Sequence, residues 1–113
     1  MNINIQEREL LSDSEKNRIN EKINSLSKYQ AKITKAEVFF KRDDGIVPNG
    51  ILCKIRLSIP GNDLVVEDNK ENAMKAFSSA FDSIDRQVRK RKDKLNEKHS
   101  QVKVINNIVQ DNF

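Results

Sequence analysis

The sequence predicts an α+β domain in the order β-α-β-β-β-α, a four-stranded sheet carrying two helices on one face. Three observations lead there. Ile51, Cys53, Ile55, Leu57 and Ile59 alternate with Leu52, Lys54, Arg56 and Ser58, a period of two that fits a strand buried on one side only. Ile19, Ile23 and Leu26, and later Ala73, Phe77, Ala80, Phe81, Ile84 and Val88, recur instead at helical spacing. With 36% apolar and 34% charged residues the core must be thin, so one layer of helices on a sheet left open to water is the natural arrangement.

Taken in order, Ile3 and Ile5 alternate with polar residues, giving a short half-buried strand within Met1 to Glu7. Ser12 and Glu15 have the spacing of a capping box, in which each side chain satisfies a free amide at a helix start. A first helix over Asp13 to Ser27 follows. Ile33 to Arg42 reads as a strand with Ala36, Val38 and Phe40 on one face and Lys35, Glu37, Phe39 and Lys41 on the other. Residues 43–50, DDGIVPNG, form a loop. After the strand Ile51 to Ile59, Pro60-Gly61 supplies the central pair of a type II turn, Pro for its restricted φ and Gly for a positive one. A short strand, Asp63 to Glu67, completes that hairpin. The second helix is expected to start near Asp68 to Lys70. It should end about Lys98, closing one domain over residues 1–98, with 99–113 a poorly ordered tail.

Charge is distributed unevenly. Arg86 to Lys98 holds seven basic residues against Asp93 and Glu97, a local +5 on a chain whose total is +4. At about 100° per residue, Arg86, Arg89 and Lys90 project opposite the apolar stripe, so packing does not account for them. Basic residues near a helix C-terminus do complement its dipole, but one or two suffice, and like charges at i,i+3 and i,i+4 repel. A polyanionic partner accounts for the cluster, nucleic acid first. A module whose basic helix docks an acidic protein is the alternative from another class. Exposed aromatics are scarce, which weighs against reading of single-stranded bases.

Little points to catalysis, and the chain is expected not to be an enzyme. His99 is the only histidine and Cys53 the only cysteine; Cys53 lies on the core-facing parity of its strand. No disulfide can form within the chain, and no metal site or cofactor is expected. The three glycines form no phosphate-cradling loop. Asp43-Asp44 opens a turn-forming loop, and turn chemistry explains it. Met1 to Leu10 lacks the pattern of a signal peptide, and no window is long and apolar enough for a membrane span; a cytoplasmic protein with no membrane or small-molecule partner is expected.

Several stretches resemble one known family. They are Asn2-Ile3-Asn4-Ile5, Leu26-Ser27-Lys28-Tyr29, Ala36-Glu37-Val38-Phe39-Phe40, Pro60-Gly61-Asn62-Asp63-Leu64-Val65 and, most specifically, AFSSAFDSIDRQVRKRK over Ala76 to Lys92. In this order and at these separations, covering about Met1 to Leu95, they are similar to the ribosome hibernation-promoting factors and ribosome-associated inhibitors, also known as sigma-54 modulation or ribosomal subunit interface proteins. Two departures stand out: Asn72-Ala73-Met74 where many members carry an acidic or aromatic pair, and Arg91 where relatives often have His or Leu.

The resemblance implies a fold close to that of double-stranded-RNA-binding domains. It implies binding to the small ribosomal subunit and its rRNA near the decoding site, occlusion of mRNA and of A- and P-site tRNA, and inhibition of translation under stress or in stationary phase. By the resemblance, RNA is contacted by Lys22 and Lys28 from the first helix and by Arg86, Arg89, Lys90 and Lys92 from the second. Ending at Phe113, the chain resembles the short form, whose relation to ribosome dimers, formed through additional factors, the resemblance leaves open. A non-ribosomal double-stranded-RNA binder or a protein-interaction module remains the alternative.

Overall fold

A computed structural model describes residues 1–29, 32–45 and 47–104, with the side chains of Arg8 and of residues 91–104 excepted. Four strands, β1 (Asn2–Gln6), β2 (Lys35–Arg42), β3 (Ile51–Ser58) and β4 (Leu64–Lys70), join in the order β1-β2-β3-β4. β1 runs parallel to β2, and the other two pairings are antiparallel. Parallel neighbours need a crossover connection, and α1 (Asp13–Asn24) lies within it. The second helix, α2 (Ala73–Val104), follows β4. The expected β-α-β-β-β-α order is the observed one.

Local chemistry accounts for the start of α1 and for the β3–β4 turn. Ser12 Oγ accepts from the Glu15 amide at 3.2 Å while Glu15 Oε1 accepts from the Ser12 amide at 2.8 Å, the reciprocal capping box. Between β3 and β4, Gly61 has φ 94° and the Ile59 carbonyl accepts from the Asn62 amide at 3.2 Å, as a type II turn requires. Arg56 braces this hairpin by donating to Asp63 at 2.8 Å.

Several boundaries differ from the expected ones. The first helix leaves α geometry at Asn24 and tightens into a 3-10 turn over Ser25–Tyr29, because the Ser25 and Ser27 hydroxyls donate to the Lys22 and Asn24 carbonyls. β4 continues to Lys70 instead of ending at Glu67, and α2 starts at Ala73. There Asn72 is the cap, its Oδ1 accepting from the Lys75 amide at 2.9 Å. The polar Asp68 is compatible with the strand because the Ser79 hydroxyl of α2 donates to its carboxylate. The backbone of α2 is helical to Val104, past the Lys98 at which the sequence reading ended it. The rest of the expected tail lies outside the described residues.

The core lies between the sheet and the helices. Ile19, Ile23 and Leu26 are wholly buried, as are Ala36, Val38 and Phe40 of β2 and Cys53, Ile55 and Leu57 of β3. From α2, Phe77, Phe81, Ile84 and Val88 enter the same cluster, with Ala76 and Ala80 allowing close approach. Phe77 and Phe81 pack with ring centroids 5.7 Å apart. Among the described residues, no helix packs on the other face of the sheet. No described helix is long and apolar enough to cross a membrane.

Candidate nucleic-acid interface

The stripe that buries α2 also orients its cations. Val88 and Ile84 are fully buried against the sheet, whereas Arg86, Arg89 and Lys90 are exposed. Rotation of about 100° per residue sets Arg86 between the other two, with Arg89 on the flank nearer Phe81. The three are not equivalent. Arg89 pairs with Asp85 one turn earlier at 3.3 Å, its side chain 53% exposed and that of Asp85 only 21%. Arg86 and Lys90 form no ion pair among the described residues.

Lys22, in the last turn of α1, is also exposed, and its ammonium lies 5.6 Å from the centre of the Phe81 ring. A cation over an aromatic face is attracted by the ring quadrupole. The contact bridges the helices and brings Lys22 to the side of α2 on which Arg89 lies. Lys28 follows in the 3-10 turn, exposed and 5.1 Å from the Tyr29 ring centre. It contacts its own neighbour and makes no described contact with α2. Lys92 belongs to α2 by its backbone, and its side chain lies outside the described residues.

Sequence reasoning passed over Arg18. It is exposed one turn before Lys22, on the same flank of α1, and forms no ion pair among the described residues. Its i,i+4 spacing to Lys22 was the available signal.

Held this way, the cations can neutralise phosphates from two helices at once, and guanidinium groups add forked hydrogen bonding. The Cys53 thiol is buried in the core on the far side of α2 from these cations, its pKa pushed up to about 12, first by burial and then by the Asp68 charge. No cluster of metal-ligating side chains occurs among the described residues.

Comparison with solved structures matches the fold. The N-terminal domain of Protein Y from Thermus thermophilus superposes with a TM-score of 0.64 at 22% identity, covering 80% of this chain and 98% of that one. A ribosomal subunit interface protein from Coxiella burnetii superposes with a TM-score of 0.60 at 14% identity, covering 80% and 94%. Among curated protein sequences none matches significantly. The family model described as sigma 54 modulation protein / S30EA ribosomal protein matches residues 3–96. That span takes in the sheet from Ile3 onward, all of α1, α2 as far as Asn96 and every cation placed on the surface, and the chain therefore belongs to the sigma 54 modulation protein / S30EA ribosomal protein family.

Proposed function

We propose that this protein is a ribosome hibernation factor that binds the small ribosomal subunit through the outward faces of α1 and α2. Bound near the decoding site, it occludes mRNA and A- and P-site tRNA and stops translation under stress or in stationary phase. The observation that carries this reading is the seating of Lys22 on Phe81, which brings a cation of α1 to the flank of α2 on which Arg89 lies, beside the exposed Arg86 and Lys90 of the same helix. Family membership supports ribosomal RNA as the polyanion.

The mechanism is occlusion without chemistry. Phosphate contacts position a protein on RNA and carry little base information, because an A-form helix is recognised by shape and backbone. Affinity then comes from counterions released as Lys and Arg neutralise phosphates, so binding weakens steeply with salt. By family resemblance, Lys28 and Lys92 serve as further phosphate contacts.

Exchange of Arg86, Arg89 and Lys90 together for Glu tests this. All three side chains are exposed, so the variant should fold and melt like the parent yet fail to sediment with small subunits. Wild-type-like co-sedimentation would refute the assignment. The RNA that co-purifies with the unaltered protein adds a second check, since a non-ribosomal binder would bring down a mixed population.

A further inference from the structure

The face of the sheet that carries no helix takes no part in the surface described above. Across it, the pairing register aligns Gln6, Phe39, Lys54 and Glu67 in one row, with Lys41 and Leu52 opposite each other in the next. Phe39 and Leu52 are half-buried there and floor an open depression of about 400 Å³. The outward strand positions of this face hold four cations, Lys35, Lys41, Lys54 and Arg56, against two acids, Glu37 and Glu67. Two of those cations have partners: Lys35 pairs with Glu37 at 3.7 Å and Arg56 with Asp63 at 2.8 Å. Lys41 and Lys54 form no ion pair among the described residues, and they flank the aromatic ring. Lys54 lies directly across from Phe39, and Lys41 lies two residues further along β2 on the same face, about 7 Å at strand rise.

We propose that this face binds a single-stranded nucleic-acid segment, RNA by the function proposed above, with a base stacked on Phe39 and the adjoining phosphates held by Lys41 and Lys54. A half-buried ring that floors an open depression beside unpaired cations on a sheet offers what such a ligand needs: every base has a π-face, and the backbone follows the positive charge. A protein partner fits the face less well. A stable protein interface takes about 800 Å² per partner around an apolar centre. Here the apolar floor is Phe39 and Leu52, and among described residues Val65 is the large hydrophobic on this face that stands exposed. The scarcity of aromatics limits the site to a single stacking position. The domain thus has two RNA faces of different kinds, a phosphate-binding one on the helices and a stacking one on the sheet.

The test separates the faces by working in a protein whose α2 site is already weakened, with Arg86, Arg89 and Lys90 all changed to Gln. Fluorescence anisotropy with labelled oligouridylate reads binding, and thermal melting checks that each further variant is folded. Oligouridylate should bind this background, and Phe39→Ala should weaken it by about tenfold, within the range for losing one stacked base. Phe39→Tyr, which keeps a ring, should restore it. Lys41→Gln with Lys54→Gln should reduce the slope of log affinity against log salt by about 1.4, two single-strand phosphate contacts. Amide resonances of Phe39 and Lys54 should shift on titration. Equal binding by folded Phe39→Ala, or complete loss of binding in the Gln background, would overturn the proposal. So would displacement by an RNA duplex at equal concentration. Shifts on this face that grow with protein concentration and ignore RNA would overturn it too, assigning the face to a second copy of the chain. Failure here leaves the ribosome reading intact, since that reading is tested by sedimentation of the α2 variant.

Discussion

The ion pair between Arg89 and Asp85 predicts unequal roles for cations that look alike in sequence. Consider Arg86→Gln, Arg89→Gln and Lys90→Gln singly, together with Asp85→Asn. Arg86 and Lys90 have no described counter-ion, so each can give its whole charge to a phosphate. Each Gln there should lower the slope of log affinity against log salt by about 0.9, one phosphate contact. Arg89 must leave Asp85, 3.3 Å away, or share its charge with it. An exposed i,i+4 pair is worth about 0.3–0.5 kcal/mol, so Arg89→Gln should cost about twofold less affinity than Arg86→Gln. Asp85→Asn should tighten binding by about twofold. It frees Arg89 and removes a negative charge that, at about 7 Å from a phosphate in water, opposes binding by about 0.5 kcal/mol before salt screening. Titration of small subunits with each variant at several salt concentrations, read by sedimentation, gives affinity and slope together. If Arg89→Gln were the most damaging exchange and Asp85→Asn weakened binding, Asp85 would be holding Arg89 in its binding geometry, and the competition argument would be wrong.

Other outcomes follow from single contacts. Phe81→Leu keeps an apolar group at the α1–α2 seam but removes the ring beneath Lys22, so a folded variant should bind the small subunit about two- to fivefold more weakly, a cation–π contact of about 0.5–1 kcal/mol. Gly50→Ala should destabilise the fold by about 1–3 kcal/mol in urea titration. A methyl there would lie 2.4 Å from Asn69 Oδ1 and 2.7 Å from the carbonyl oxygens of Asp43 and Val47, two of the three being backbone that cannot swing aside. The Asp68 carboxyl is held below its usual pKa, chiefly by the hydrogen bond from Ser79. A carboxyl depressed in the folded state contributes stability above its unfolded pKa of about 3.9 and loses it as pH falls through the folded value. Ser79→Ala should therefore lower the melting temperature at pH 7 and shrink its further drop between pH 4 and lower pH; an identical drop in both proteins would remove Ser79 as the cause.

How far the sequence discloses this molecule depends on how local each interaction is. The capping box of Ser12 and Glu15 and the Pro60-Gly61 turn close within four residues, and both were legible. The β4–α2 boundary was not. Asp68 reads as a strand breaker until Ser79, eleven residues on and in another element, supplies its partner. The site divides the same way. Arg86, Arg89 and Lys90 are legible because one helical rotation relates them to the buried stripe. The place of Lys22 depends on how α1 lies against α2, which no spacing within either helix encodes. Resemblance named Lys22 and Lys28 together, but the structure gives them different aromatic partners: Lys22 lies over Phe81 of α2, and Lys28 over Tyr29 beside it.

The junction between core and charge in α2 has a further consequence. Within Arg86 to Lys90, the one buried side chain is Val88, and the cations on either side of it are exposed. Stability and the proposed binding would therefore fall to different side chains on the same stretch of helix. Shortening Val88 would open a cavity against the sheet and loosen the platform that holds three cations, lowering stability and affinity together. Changing Arg86 or Lys90, which have no described counter-ion, should lower affinity and, by relieving repulsion between like charges at i,i+3 and i,i+4, raise stability by a few tenths of a kcal/mol. Opposite signs for the two kinds of substitution, measured by denaturation and by ribosome sedimentation on the same variants, are what a surface retained for binding at some expense of stability must give. A loss of stability on replacing Arg86 or Lys90 would instead make their charge part of the fold.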